Sequence, residues 1–179
     1  MDYGSEASEI LQKLGDRKIP VEIYELAEIE KIKVLIRKTE DLDKIGREYP
    51  KAMLAAKAVV KEIWKDYNFG EEEYFLFLTT KDSLERRLLT AFFIANKCIR
   101  KNLLGNVHFI DSNIETSDDA YKLALYLLMP SDSLDGELRD RDTTAIEAIK
   151  DESVITDLSE KFLVSKVDVA NRLKLSKEA

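Results

Sequence analysis

One histidine, His108, and one cysteine, Cys98, stand among the 179 residues, so chemistry that needs imidazole or thiolate has few places to occur. A zinc centre converges several histidines, cysteines or carboxylates on one ion, and this inventory does not supply the usual nitrogen and sulfur set. Cys98 as a nucleophile would need a base to take its proton. It falls in an apolar helical stretch with no histidine nearby in sequence, so it reads as a buried structural thiol. No glycine loop of the kind that cradles phosphate is present. Two polar groupings remain. Asn96, Lys97 and Arg100 interrupt an apolar run, with Asp119 following downstream, and Ser165, Lys166, Asn171 and Arg172 cluster near the end of the chain.

The first grouping depends on two helices. Leu88, Leu89, Ala91, Phe92, Ala95, Cys98, Ile99 and Leu103 recur at helical spacing, which predicts a helix from Ser83 to about Leu104. Ala120, Leu123, Ala124, Leu127 and Leu128 predict a second from Ser117 to Met129. The stripes are wide enough for both helices to lie inside the domain. Asp82-Ser83 and Ser117-Asp118-Asp119 are expected to cap their first turns, because short polar side chains accept from free amides there. Pro130 ends the second helix for want of an amide hydrogen. Upstream, Ser5 to Gly15 predicts a short helix and Pro20 to about Glu30 another. Ile32 to Ile36 alternates as a strand does, Pro50 to Tyr67 carries helical spacing, and Tyr74 to Thr79 reads as a central strand.

The second grouping lies in the segment Leu158 to Leu173, which overlaps the end of a helical stretch from Glu147 to Lys161 that is interrupted or bent near Ser153. Its pattern is helix, turn, helix, with Val164 filling the turn and Ser165 capping the second helix. Val167, Val169 and Leu173 would anchor that helix. Residues Ser131 to Arg139 add a turn or two, and Asp140 to Thr144 form a polar break. Two units follow: 1–140 as the main domain and 141–179 as a helical hairpin.

Hydrophobic residues at 45% and charged residues at 35% describe a globular chain with a well-solvated surface. The net charge of −7 argues against broad non-specific binding to nucleic acid. The single cysteine fits a reducing compartment, and neither a leader-type start nor a long uncharged apolar run is present. These features predict a cytoplasmic location with no membrane partner.

The string Phe92-Phe93-Ile94-Ala95-Asn96-Lys97-Cys98-Ile99-Arg100 resembles the active-site helix of the ImmA/IrrE zinc metallopeptidases, where a phrase of the type F-T-L-A-H-E-L-G-H holds the metal. Asp119-Ala120-Tyr121-Lys122-Leu123-Ala124-Leu125-Tyr126-Leu127-Leu128-Met129-Pro130 is similar to that family's E-A-N-x-F-A-x-x-L-L-M-P helix, whose acidic residue is a further zinc ligand. Pro20-Val-Glu-Ile-Tyr-Glu-Leu-Ala followed by Ile32-Lys-Val resembles its opening phrase. The Leu-Ser-x-x-Phe-x-Val-Ser phrase resembles its closing hairpin.

The resemblance implies an α+β, mainly helical, zincin-like metallopeptidase fold with a small sheet and a C-terminal helical hairpin. It places Asn96 and Arg100 where the metal-binding histidines stand, Lys97 where the glutamate base stands, and Asp119 at the remaining ligand. Lysine cannot act as a carboxylate base, and arginine carries a fixed positive charge to where a dication would sit. The implied protein is a pseudoenzyme with no metal and no other cofactor. An Arg100–Asp119 or Lys97–Asp119 ion pair would replace the metal as the link between the two helices.

Family members are associated with mobile elements and stress operons and act on helix-turn-helix repressors. The leading expectation is therefore a protein that binds such a regulator, or another protein partner, without hydrolysing it. The alternatives are a DNA-binding regulator acting through Ser165, Lys166, Asn171 and Arg172, and an active zinc peptidase using His108 and Asp119. Nearly balanced charge on the hairpin weighs against the DNA reader. Sequence alone leaves the oligomeric state open.

Overall fold

The computed structural model describes residues 2–15, 18–36, 74–78, 82–99, 107–109 and 118–176. Among them are eight α-helices and three strands, so the chain is mainly helical, as expected. The helices are α1 (Tyr3–Leu11), α2 (Ile23–Ile29), α3 (Ser83–Ile99), α4 (Asp119–Leu128), α5 (Ser131–Asp140), α6 (Ala145–Ala148), α7 (Glu152–Phe162) and α8 (Lys166–Leu175). The helix expected over Pro50 to Tyr67 lies outside the described residues, as do the far end of the Ser83–Leu104 helix and Ser117.

Helix α4 lies at the centre of the packing. Asp118 starts it, its side chain accepting from the amide of Ala120 at 2.8 Å. Eight of its ten residues are buried, among them Leu123, Ala124, Leu125, Leu127 and Leu128 at 0% exposure. A helix covered on almost every side must have neighbours on every side. It packs against α3, α1 and α8. Each leucine withdrawn from water contributes on the order of 1.5–3 kcal/mol, so α4 holds a large share of the core. Met129 ends the helix, and Pro130, extended at φ −57° and ψ 142°, passes the chain directly into α5.

Helix α3 begins as expected. Asp82 accepts from the amides of Leu84 at 2.7 Å and Glu85 at 3.2 Å, satisfying two free donors of the first turn. It buries Leu89, Ala91, Phe93, Ile94 and Ala95, while Asn96 to Ile99 are half-buried.

The three strands, β1 (Ile32–Ile36), β2 (Tyr74–Leu78) and β3 (Val107–Phe109), form a parallel sheet in the order β1-β2-β3. The expected central strand is thus central, with Ile32 opposite Tyr74 and Phe75 opposite Val107. Parallel neighbours cannot be joined by a hairpin and need a crossover; α3 lies in the connection from β2 to β3.

Some boundaries differ from those read in the sequence. Helix α1 starts at Tyr3 because Asp2 caps it, accepting from the amides of Gly4 and Ser5. It tightens into a 3₁₀ turn over Gln12–Leu14 and stops at Gly15, whose φ of 72° suits glycine. Pro20 does not open α2. It lies in a bend after a cis Ile19–Pro20 bond, and the first helical bond runs from the Leu26 amide to the Glu22 carbonyl. The stretch Glu147 to Lys161 is interrupted, one of the two outcomes expected near Ser153, and forms two helices. Thr144 and Glu147 close a reciprocal capping box on α6, and Asp151 then caps α7, accepting from Ser153 and Val154. Helix α5 starts at Ser131 as expected and ends one residue past Arg139.

The hairpin α7–α8 turns at Leu163, left-handed at φ 51°, and Ser165 accepts from the Asp168 amide at 3.1 Å. Val164, Val169 and Leu173 are buried as anchors; Val167 is 67% exposed and is not one. Leu158, Phe162, Val169 and Leu173 join the α4 side chains in a single core cluster.

Candidate functional site

The C-terminal end of α3 meets the C-terminal end of α2. Glu30, the residue that ends α2, lies with its side chain 10% exposed between two ammonium groups. Lys13 reaches its carboxylate from the 3₁₀ turn. Lys97 reaches it from α3 at 3.1 Å and also donates to the Glu30 backbone carbonyl. A cation at that carbonyl complements the negative end of α2. Burial alone would raise the Glu30 carboxyl, but the two lysines outweigh it and hold the group below its ordinary value of 4.5. Glu30 therefore ties three elements together, and it matches the charge of Lys97 with a carboxylate that the sequence did not single out.

Asp119 is turned the other way. Its Oδ1 accepts from the Tyr3 hydroxyl at 2.6 Å and lies 3.9 Å from the Lys122 ammonium. The Asp119 side chain is 56% exposed, so this pairing is worth little in energy and serves to orient Tyr3. The carboxylate and short bond push the Tyr3 hydroxyl up to about 12. Lys97 and Asp119 thus engage different partners, Glu30 and Tyr3, rather than each other. Asn96 keeps its Oδ1 buried with no hydrogen-bond partner among the described residues. Arg100 lies outside the described residues. His108 lies on β3, opposite Leu76 in the register. Among the described residues no group of three histidine, cysteine, aspartate or glutamate side chains could hold a metal ion.

Cys98 is half-buried beside this ion network. Burial first, and then Glu30, push its thiol above the ordinary value of 9.0, against the opposing pull of Lys13 and Lys97. A thiol held protonated is a poor nucleophile.

The C-terminal grouping is divided: Asn171 and Arg172 turn inward, while Lys166 stays on the surface. Arg172 is 1% exposed. Its Nε donates to the Met129 carbonyl at 3.2 Å, Nη2 to the Ser131 hydroxyl at 3.1 Å and Nη1 to the Ser176 hydroxyl at 2.6 Å. Its guanidinium lies over the Tyr126 ring. Burial pushes it down to about 10, still charged at neutral pH. Asn171 donates to the Tyr121 hydroxyl at 2.9 Å, and that hydroxyl donates to the buried Asp168 at 2.8 Å. Ser165 donates to the other Asp168 oxygen at 2.5 Å, and Lys166 pairs with Glu152 on the surface. Of the four residues proposed to reach DNA or a partner, Asn171 and Arg172 are spent on α4 and the start of α5.

Tyr121 and Tyr126 were the legible clue to this arrangement. A hydroxyl inside an otherwise apolar helix must find a polar partner, which α8 supplies to Tyr121, while the Tyr126 ring takes the Arg172 guanidinium on its face. Arg87 shows the same economy of contacts. It is 8% exposed and donates to the Leu163 carbonyl at 3.1 Å and to Val21 at 3.0 Å, fixing the hairpin turn to α3.

The chain matches no family profile, no curated protein and no solved structure. No helix among the described residues is long and apolar enough to cross a membrane.

Proposed function

We propose that the chain is a catalytically inactive protein of ImmA/IrrE-like, zincin-like frame that acts by binding a protein partner, a helix-turn-helix regulator being the partner class this reading names. The observation that carries it is Lys97. It stands where the resemblance puts the carboxylate base, and its ammonium is held by both the carboxylate and the carbonyl of Glu30. A fixed cation at that place repels a dication and cannot take a proton from water. Asp119, the remaining ligand position, is taken up by Tyr3 and Lys122. In this reading 1–140 is the pseudo-peptidase domain and 141–179 the hairpin that closes it.

The inward turn of Asn171 and Arg172 favours this reading over a DNA reader, since groove recognition needs such side chains in solvent. Two measurements test it. Metal analysis after incubation with zinc is expected to find less than stoichiometric metal and no peptide cleavage. Binding assays against purified products of neighbouring genes are expected to yield a stable complex with an intact partner. Tight, stoichiometric zinc would overturn the proposal.

A further inference from the structure

Two hollows adjoin on the face formed by α1, the bend before α2 and the start of α5. One has a volume of about 130 Å³, the other about 320 Å³, and they share Leu11 and Pro130. Leu14, Ile19 and Val21 extend the apolar floor under the smaller one. Leu14 and Ile19 are only half-buried, so apolar surface is left facing solvent. The rim is charged: Asp2 and Asp132 border the larger hollow, and Glu22, Glu25 and Lys18 the smaller. All five are exposed. Four carboxylates against one ammonium give the described lining a net charge of −3.

We infer that this groove is a docking surface for a basic, amphipathic peptide segment of a protein partner, its apolar side chains seated over Leu14 and Ile19 and its lysines or arginines against the acidic rim. The inference rests on the partner-binding reading above and adds where the partner is held and by what chemistry. Charge complementarity selects this occupant. An apolar floor alone would accept any greasy segment, whereas a rim of this sign rejects acidic ones and attracts cationic ones. The net charge of −7 on the whole chain adds long-range attraction of the same sign. Both hollows are open along one side, which suits side chains presented by an extended or helical segment better than an engulfed small molecule.

The test uses the full chain and fluorescence anisotropy with three labelled peptides of equal length: one of interleaved leucines and lysines, one with glutamate for lysine, and one with serine for leucine. The first is expected to bind. Its affinity should fall about tenfold in Glu22→Lys/Glu25→Lys and further as salt rises from about 50 to about 300 mM. A charge-matched control, Asp140→Lys/Glu160→Lys, changes the same net charge away from the groove and should retain most of the binding. Amide exchange should slow over residues 7–14 and 131–133 in the complex. Equal loss in both double variants, equal binding of the serine peptide, or protection confined to other residues would each overturn the groove. Zinc binding or cleavage of the peptide would instead overturn the non-hydrolytic reading and leave the groove measurement standing.

Discussion

The guanidinium of Arg172 stands 3.5 Å from the centroid of the Tyr126 ring, with a carbonyl and two hydroxyls as its hydrogen-bond acceptors and the Asp135 carboxylate acting on it through space. Every group it touches directly is neutral, so its position is fixed mainly by hydrogen-bond geometry and the ring face. Arg172→Ala should cost about 2–4 kcal/mol, since it empties the space and leaves the Met129 carbonyl without that donor. Arg172→Met keeps the stem and should cost about 1 kcal/mol. Urea unfolding of both variants checks this; equal midpoints would show that packing of the stem is irrelevant.

Acid should find Glu30. Its folded carboxyl is held below 4.5, so the stability it contributes is present above that value and is lost as pH falls through the lower, folded one. Glu30→Gln should cost about 2 kcal/mol at neutral pH by leaving two lysines short of their partner. The variant should also show a shallower loss of stability between neutral pH and the acid limb. Thermal melts across pH measure both.

Tyr121 and Asp168 form the second buried polar link between α4 and the hairpin. Tyr121→Phe and Asp168→Asn should each destabilise by about 1–2 kcal/mol, and the double variant by less than their sum. A coupling near zero in the double-mutant cycle would mean that Asn171 and Ser165, not this bond, hold the hairpin.

Cys98 offers a probe of the Lys13–Glu30–Lys97 network without disturbing it. Its raised thiol and partial burial predict labelling at pH 7 about tenfold slower, or more, than in the unfolded chain. Glu30→Gln should speed the labelling by loosening the α2–α3 contact. Absorbance of released thionitrobenzoate follows the reaction directly.

Local rules carried the sequence a long way. Caps at Asp82, Asp118 and Ser165, the stop at Gly15 and the central strand at Tyr74 all follow from short-range sterics and hydrogen bonding, which a window of a few residues contains. Pro20 misled because a proline can lead a helix or precede one, and its neighbours decide between the two. The partners of Lys97 and Asp119 were not legible. Glu30 lies 67 residues from Lys97 and Tyr3 lies 116 from Asp119, and nothing in either local pattern points across such a distance. Arg172 misled in an instructive way. An arginine on the second helix of a hairpin suggests a groove, yet an apolar helix bearing two tyrosines nearby was already asking for polar company.

Helix α4 is sandwiched between α1, among the earliest residues, and α8, among the latest. Until α8 has been synthesised, the side of α4 that it covers stays open to solvent, so that part of the core closes only after α4 itself has been made. A chain cut before Lys166 should therefore leave α4 partly uncovered and open to protease, whereas one that keeps α8 should not.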